Sequence, residues 1–306
     1  MTDLASKNRQ SWLVVGKGAI GLLAACQLQQ QGVKVQLWLR QPAPLTVDFR
    51  ALDGSCRTHH FEPWPVDQPI DTAFIAVKAY DALSCMQQLH PLLAEDACLI
   101  LSHNGLGTLE SIQPLLKPRQ QLWFLTTTHG AYIEPGDLAG RRLVHSGAGS
   151  SVLGAIQAES DPSPTFANAL SLAIGPMQSV TDIQPYLWQK LLINCLINPL
   201  TALHQVQNGE LAKPCFAAEL TQLLDEFCLL SERAGYPQDK AAAWQQLQQV
   251  IAQTASNRSS MLQDRLAGRQ TELEFITGFV LREAQRLDLR LPGHQQLYQH
   301  CQDAGF

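Results

Sequence analysis

Residues 12–21 read Trp12-Leu-Val-Val-Gly16-Lys17-Gly18-Ala19-Ile20-Gly21, a short apolar strand that runs directly into a Gly-x-Gly-x-x-Gly motif. A helical pattern follows, Gly32 ends it, and a second apolar stretch covers 33–39. In such a unit the first glycine allows a tight turn, the second allows the backbone to approach a pyrophosphate, and the third allows close packing of helix and strand. The pattern predicts dinucleotide binding at the helix N-terminus, with an ordinary βα turn as the alternative. The predicted contact residues are Gly16, Lys17, Gly18, Ala19, Ile20 and Gly21.

The end of the second strand indicates which dinucleotide the unit prefers. NAD-binding units usually carry an acidic residue there that bonds the ribose 2′-hydroxyl. Here the stretch ends Leu37-Trp-Leu-Arg40, and no carboxylate occurs before Asp48. An arginine fork binds a 2′-phosphate, which a carboxylate would repel. We therefore predict NADP(H) as the cofactor and Arg40 as its 2′-phosphate contact.

Composition limits the classes of protein that this chain can represent. Its 306 residues are enough for two domains, and a net charge of −5 without basic runs argues against a nucleic-acid partner. No signal peptide or membrane span is recognisable, so we expect a cytoplasmic protein. Eight cysteines without a CxxC pair indicate reduced thiols. Because His59-His60 is the only adjacent histidine pair, we predict no metal site.

Strand-like and helix-like patterns alternate through about residue 180. After the first unit, the patterns predict strands at 72–77, 98–101 and 122–127 and helices at 81–93 and 108–116. Residues 142–146 and 151–156 predict a β-hairpin with Gly147 and Gly149 in its turn. A second phosphate loop is the alternative there, but no helix directly follows these glycines.

Beyond residue 180 the strand-like segments disappear and Leu, Gln and Ala dominate. Helices are predicted at 186–202, 216–234, 240–253 and 271–287. The fold class is therefore α/β, with an N-terminal Rossmann-like, doubly wound, NADP-binding domain over 1–180 and a C-terminal all-α substrate and catalytic domain over 181–306. We expect the substrate to bind in a cleft between the two domains.

The apolar helix predicted at 186–202 carries an unusual polar stripe. Lys190, Asn194 and Asn198 follow one another at four-residue intervals, which places them on one face of a helix. A buried lysine is rare unless it is paired or functional, so this stripe resembles the wall of a small-molecule site. A core helix whose polar side faces solvent is the alternative. Pro199 is expected to interrupt or kink the helix.

Two further candidates follow predicted strands. Lys78 follows the strand that ends Phe74-Ile-Ala-Val, and Asn104 follows Leu99-Ile-Leu-Ser with one histidine between. Ligands of doubly wound sheets bind at the carboxyl ends of the strands, so both residues could reach the nicotinamide half of a cofactor. A loop lysine and a turn asparagine are the alternatives.

Glu272 lies at a predicted helix start in the C-terminal half. Thr271 and Glu274 have the spacing of a capping box, which would place Glu272 in the first helical turn. The helix dipole favours an ionised carboxylate there, and an ionised Glu272 near Lys190 would keep that lysine charged. Otherwise Glu272 is a surface helix residue.

These segments together closely resemble ketopantoate reductase, the NADPH-dependent 2-dehydropantoate 2-reductase family of pantothenate and coenzyme A biosynthesis. The matches run in order over nearly the whole chain, and the Lys–Asn–Asn–Pro block is specific to this family and its close relatives. The matching stretches are 16–21, Val77-Lys78-Ala-Tyr, His103-Asn104-Gly105, 190–202, Asn208-Gly-Glu210, and Ser259-Ser-Met-Leu-Gln-Asp264 with Thr271-Glu272.

The resemblance implies a role for each matched residue. Lys190 corresponds to the catalytic acid, Glu272 holds a substrate hydroxyl, and Arg40 contacts the 2′-phosphate. Lys78 and Asn104 lie beside the cofactor, and Asn104 is also a substrate-site candidate. The other residues implied to bind the substrate are Asn194, Asn198, Asn208 and Ser260. Lys17 departs from the small or neutral residue expected between the glycines, although a cation beside a pyrophosphate is tolerable.

Lys190 is the only cation on the polar stripe of this apolar helix, and no histidine lies on a comparable helix face. We therefore predict that Lys190 protonates the alkoxide that forms at C2 of a 2-keto acid. A related NADP-dependent 2-hydroxyacid or 6-phosphogluconate dehydrogenase and a non-catalytic NADPH sensor remain alternatives. The first would need more basic residues for a substrate phosphate, and the second would tolerate loss of Lys190 or Glu272. The sequence does not fix the oligomeric state, and a homodimer is one arrangement that it allows.

Overall fold

The computed structural model describes residues 11–134, 141–158 and 164–306. The chain forms two compact units, the first within residues 1–103 and 108–183 and the second comprising 104–107 and 184–306. The short segment 104–107 therefore belongs to the second unit although it lies in the middle of the first unit's sequence. Nothing in the sequence pattern indicates this assignment.

The first unit combines strands and helices. Its strands are β1 (Trp12–Val15), β2 (Val35–Trp38), β3 (Leu45–Arg50), β4 (Cys56–Phe61), β5 (Ile70–Ile75), β6 (Leu93–Leu101), β7 (Gln121–Thr127), β8 (Gly130–Ile133), β9 (Arg141–Gly147), β10 (Ser151–Gln157) and β11 (Met177–Val180). Its helices are α1 (Ala19–Gln30), α2 (Ala79–Leu89), α3 (Leu109–Ile112) and α4 (Pro164–Ile174), with short 3-10 helices at 90–92 and 113–115.

The main sheet has seven strands in the order β11-β10-β7-β6-β5-β1-β2. Five of these strands are parallel: β1 pairs with β2 and β5, β5 pairs with β6, and β6 pairs with β7. The predicted doubly wound, Rossmann-like sheet is therefore confirmed. Because β1 pairs with β2 on one side and β5 on the other, the strand order reverses at β1. In such sheets this reversal point is where ligands bind, beyond the carboxyl ends of the strands.

The core of the first unit surrounds α1. Leu22, Leu23 and Cys26 are fully buried in a cluster that also includes Phe49 of β3 and Trp123 of β7. A helix covered by side chains of two sheets needs apolar residues on most of its surface, which explains why α1 has almost no polar face before its last turn. This packing fixes the N-terminus of α1, and with it the glycine motif.

The predicted hairpin of residues 142–146 and 151–156 is wrong, because the two strands belong to different sheets. β9 lies in a four-stranded sheet of order β4-β3-β9-β8, whereas β10 pairs with β7 and β11 in the main sheet. The chain passes from the main sheet to the four-stranded sheet after β7 and returns to the main sheet after β9. A hydrogen bond from the Thr128 N–H to the Ser150 carbonyl joins these two connections. The glycines suit a turn, but the burial of Leu143 against the α1 core decides the pairing.

The second unit is helical, as predicted for the C-terminal half, and no strand occurs among its described residues. Among the described residues, no helix is long and apolar enough to cross a membrane. The helices are α5 (Gln184–His204), α6 (Pro214–Arg233), α7 (Lys240–Gln253), α8 (Ser260–Leu266), α9 (Leu273–Arg286) and α10 (Pro292–Asp303), with a 3-10 helix at 208–212.

The helix α5 contains Pro199 without ending there. Of the interruption or kink predicted at this proline, the interruption is excluded, since α5 continues to His204. The Thr201 hydroxyl donates to the Ile197 carbonyl at 2.8 Å. Because α5 is buried from residue 195 to 202, tertiary packing stabilises the turn around the missing N–H group.

Candidate active site

The glycine motif of the first unit packs against the end of β5. Gly16 has a φ of 93°, and a Cβ atom there would lie 3.3 Å from the Ala76 carbonyl oxygen. A Cβ atom on Gly21 would lie 3.2 Å from the Ala76 Cβ atom, so the third glycine permits close helix–strand packing as predicted. At Gly18 the atom nearest to an added Cβ would be the same Ala76 carbonyl oxygen, 3.7 Å away, which is an ordinary van der Waals contact. These clearances fit a bound dinucleotide.

The N-terminus of α1 offers an anion the groups that a phosphate requires. Gly18 is its N-cap residue, with no side-chain cap, and the first turn contains no acidic residue. The N–H groups at a helix N-terminus and the helix dipole favour a negative charge at this point. Ala19 and Ile20 form the first turn, and Lys17 is exposed beside it. The residues present therefore fit the pyrophosphate of a dinucleotide cofactor.

Arg40 and Lys78 lie near the glycine motif but differ in their surroundings. The Gly16 N–H donates to the carbonyl of Trp38, two residues before Arg40. Lys78 is the N-cap residue of α2 and is partly buried. The Arg40 guanidinium donates to the Asp81 carboxylate at 2.6 Å, so a carboxylate does stand beside the end of β2. The sequence around β2 does not indicate this carboxylate, because Asp81 comes from a distant part of the chain.

In the second unit, α5 carries the predicted polar stripe. Lys190 and Asn194 are partly buried, and Asn198 is buried. The Asn194 and Asn198 side chains form no hydrogen bond with any described residue. Amides at a partly buried position without such bonds are suited to bind a ligand, because leaving them unbonded costs free energy.

The electrostatics of Lys190 are set by two opposing effects. Desolvation by burial lowers the pKa of its ammonium group, and the negative charge of Glu272 raises it, with a net result of about 8. A lysine with an ordinary pKa is a poor proton donor near neutral pH, whereas a value close to the working pH suits general acid catalysis.

Glu272 is fixed at the start of α9 but not as the sequence predicts. It is the N-cap residue itself, α9 begins at Leu273, and its side chain does not cap the helix. The predicted capping box of Thr271 and Glu274 is wrong, because the Glu274 carboxylate pairs with Arg282 and accepts from Tyr298 instead. Glu272 is only 3% exposed. A carboxylate this buried is stable only beside partners such as the Lys190 charge.

Asn104 is the second partner of Glu272. Its side-chain amide donates to the Glu272 carboxylate at 3.2 Å. The next residues hold it there, since the Leu106 N–H donates to the Phe275 carbonyl at 2.8 Å. Gly105 has a φ of 78°, and a Cβ atom there would lie 2.3 Å from the same carbonyl oxygen. The structure thus places Asn104, expected beside the cofactor, with Glu272 in the second unit.

The remaining implied substrate residues have different surroundings. Ser260 is exposed at the first position of α8. Ser259 anchors this helix, because its hydroxyl accepts from the Leu262 N–H at 3.1 Å and forms a hydrogen bond with the buried Thr201 hydroxyl at 2.8 Å. Asn208 is buried and donates to the Thr254 hydroxyl at 2.9 Å. Its side-chain oxygen has no hydrogen-bond partner among the described residues. Sequence reasoning missed Ser259 and Thr201, which fix α8 against α5.

Cys195 of α5, Glu226 of α6 and His294 of α10 form a cysteine–histidine–glutamate arrangement. The Cys195 sulfur lies 3.8 Å from His294 Nε2, and His294 Nδ1 lies 2.9 Å from the Glu226 carboxylate. Burial raises the pKa of the Cys195 thiol well above 9, and both Cys195 and His294 are fully buried. Burial opposes ionisation of Glu226, but hydrogen bonds from His294 and Gly293 lower its pKa to about 2. A protonated, inaccessible thiol is not a nucleophile, so this cluster is structural.

Among the described residues no group of metal-binding side chains occurs.

Comparison with known proteins agrees with this geometry. The model of the family Ketopantoate reductase PanE/ApbA matches residues 12–158, and that of its C-terminal part matches residues 182–304. A 2-dehydropantoate 2-reductase from Vibrio cholerae is 36% identical over 289 residues, which cover 94% of this chain and 95% of the relative. The family and these relatives define an oxidoreductase. The chain belongs to the ketopantoate reductase family.

Two solved structures share the fold at low sequence identity. A PanE/ApbA family ketopantoate reductase from Ralstonia eutropha JMP134 has a TM-score of 0.79 at 21% identity, with 95% of this chain and 97% of that chain covered. D-Mandelate dehydrogenase in a ternary structure with NADH and anilino(oxo)acetate has a TM-score of 0.81 at 18% identity, with 96% and 97% covered. At these identities the likeness concerns the fold alone.

Proposed function

We propose that this chain reduces ketopantoate to pantoate with NADPH, a step that supplies pantothenate and coenzyme A biosynthesis. The observation that carries the proposal is the Lys190 ammonium with its lowered pKa, next to the buried Glu272 carboxylate that Asn104 holds. The relatives named 2-dehydropantoate 2-reductase, which match nearly the full chain, support the choice of substrate.

Proton donation in this mechanism falls to Lys190. When bound, the reduced nicotinamide supplies the hydride that adds to C2 of the keto acid. Negative charge then develops on the C2 oxygen, and the Lys190 ammonium stabilises this charge and transfers its proton to the oxygen. The Glu272 charge raises the Lys190 pKa against desolvation, so that the protonated form is available near neutral pH.

The other side chains orient the substrate. Ketopantoate carries a carboxylate, a keto oxygen and a hydroxymethyl group. The Asn194 and Asn198 amides follow Lys190 along α5 and can donate to the substrate carboxylate. The Glu272 carboxylate can accept a bond from the hydroxymethyl group. Ser260 and Asn208 would extend the same site, and Lys78 would contact the cofactor.

Replacing Arg40 with alanine is expected to reduce the preference for NADPH over NADH by about tenfold to a hundredfold. Charge-assisted bonds to the 2′-phosphate are worth about 1.5–3 kcal/mol, and NADH cannot form them. The measurement is kcat/KM with each cofactor. Lys17→Ala is the matched control, because an exposed cation beside the pyrophosphate should affect both cofactors alike. Equal efficiency of the wild type with NADPH and NADH would contradict the role of Arg40.

Raising the pH through about 8 is expected to lower kcat for the reduction, because the Lys190 pKa is about 8 and only the protonated amine can donate. A lysine with a lowered pKa loses its proton earlier as the pH rises, so activity should be full below this value and lost above it. The measurement is kcat from about pH 6 to about pH 10. Lys190→Arg remains protonated throughout, so its residual activity should not change across this range. A wild-type profile that stays flat would remove Lys190 as the acid.

The proposed substrate is tested by measuring NADPH oxidation with a panel of 2-keto acids. Ketopantoate should give the highest kcat/KM, above ketoisovalerate, pyruvate and benzoylformate. A higher value with another keto acid would assign a related dehydrogenase activity. Tight NADPH binding without turnover of any keto acid would support a non-catalytic NADPH sensor instead.

A further inference from the structure

The inference concerns the ion pair of Arg40 and Asp81 in the first unit. Arg40 lies two residues after β2, and Asp81 lies in the first turn of α2, which follows β5. Both strands are parallel neighbours of β1, so both residues lie at the carboxyl edge where the glycine motif begins. Their side chains meet at 2.6 Å. Arginine and carboxylate therefore stand together where a dinucleotide-binding unit recognises the ribose 2′-position.

This pair is not required to hold the fold together. The Arg40 side chain is 84% exposed and the Asp81 side chain is 31% exposed. Ion pairs in contact with water contribute little to stability, because solvent screens the charges and ordering the side chains costs entropy. A ligand can therefore exchange with either partner without disturbing the sheet or α2.

The two side chains favour different cofactors. The Arg40 guanidinium favours a 2′-phosphate. The Asp81 carboxylate repels that phosphate and competes for Arg40, whereas it can accept a hydrogen bond from a free ribose 2′-hydroxyl. The carboxylate that NAD-binding units place at the end of the second strand is thus supplied here from α2.

We propose that Asp81 is a second specificity-determining residue, which weakens binding of a 2′-phosphorylated cofactor and permits binding of the form with a free 2′-hydroxyl. The proposal rests on the proposed use of NADPH. The preference for NADPH is then the balance of Arg40 and Asp81, and it is smaller than Arg40 alone would produce.

The experiment measures nucleotide binding directly, without turnover. Dissociation constants of the wild type and of Asp81→Asn are determined by calorimetry for NADPH, NADH, adenosine 2′,5′-bisphosphate and AMP. Asp81→Asn should bind the bisphosphate and NADPH about three- to tenfold more tightly, and NADH and AMP equally or less tightly. Because the effect is electrostatic, the difference between the two proteins should shrink as salt is added.

Asp96→Asn is the matched control, because it makes the same change of charge at an exposed position in the amino-terminal half of β6. This variant should bind all four nucleotides like the wild type. A ratio of NADPH to NADH affinity in Asp81→Asn within about twofold of the wild type would overturn the proposal. Weaker binding of the bisphosphate would also overturn it, since Asp81 would then be orienting Arg40 for the phosphate. If neither protein binds any of the dinucleotides, the proposed function itself fails, which is a distinct result.

Discussion

Lys190→Ala is expected to lower kcat for ketopantoate reduction by about 10²–10⁴-fold, the usual contribution of a general acid. The loss should appear in kcat because the ammonium acts on charge that develops only as the reaction proceeds. The dissociation constant of NADPH should change little, because the glycine motif and Arg40 belong to the other unit. Stopped-flow turnover and cofactor titration of the same preparation provide both values.

The matched control is Lys190→Met, which retains the apolar stem and removes only the ammonium group. It should lose as much activity as Lys190→Ala, and its thermal denaturation should show whether the loss of the charge beside Glu272 affects folding. Small primary amines added to Lys190→Ala should restore part of the rate. A kcat of either variant within about threefold of the wild type would exclude Lys190 as the general acid.

Measured for each protein at a pH low enough that Lys190 is protonated, Glu272→Ala is expected to lower kcat/KM for ketopantoate by about 10²–10⁴-fold. It should have little effect on trimethylpyruvate, which carries a methyl group in place of the hydroxymethyl group. The wild type itself should reject trimethylpyruvate by about 10⁴-fold, because a buried polar group built to bond a hydroxyl is left unpaired by its absence. Glu272 is buried enough for this penalty to be large. The measurement is kcat/KM of both proteins with both keto acids.

Glu272→Gln separates the two roles of this side chain. The amide oxygen can still accept from the substrate hydroxyl, so discrimination between the two keto acids should largely persist. The negative charge that raises the Lys190 pKa is lost, so the decline of kcat should begin at a lower pH than in the wild type. Equal losses with both keto acids in Glu272→Ala would mean that Glu272 acts only through Lys190 or on the fold.

The parts of the site that could be predicted from the sequence are those encoded locally. The glycine motif needs only a strand, a turn and a helix in succession, and all three lie within residues 12–30. The stripe of Lys190, Asn194 and Asn198 depends only on the repeat of one helix, and α5 extends across the whole of it. The roles assigned to these residues remain proposals.

The parts that could not be predicted depend on pairing between distant segments. Arg40 and Asp81 are separated by 41 positions, and Asn104 and Glu272 by 168. No pattern within a short stretch of sequence indicates such a contact. The strands β9 and β10 show the same limit, since their partners are chosen by burial against two different sheets. The capping box of α9 is absent for the same reason: the Glu274 carboxylate bonds Arg282 and Tyr298, which are 8 and 24 positions away in the sequence.

The location of residues 104–107 limits how modular this chain can be. The Asn104 amide and the Leu106 N–H of the second unit come from a segment that precedes the rest of that unit in the sequence, with the strands β7 to β11 in between. A fragment that starts at Gln184 lacks the donor that holds the Glu272 carboxylate and the one that bonds the Phe275 carbonyl. In a chimaera joined at residue 183, the helices of one parent would receive this segment from the other. Exchange of the helical half between such proteins therefore keeps these two bonds only if residues 104–107 are transferred with it.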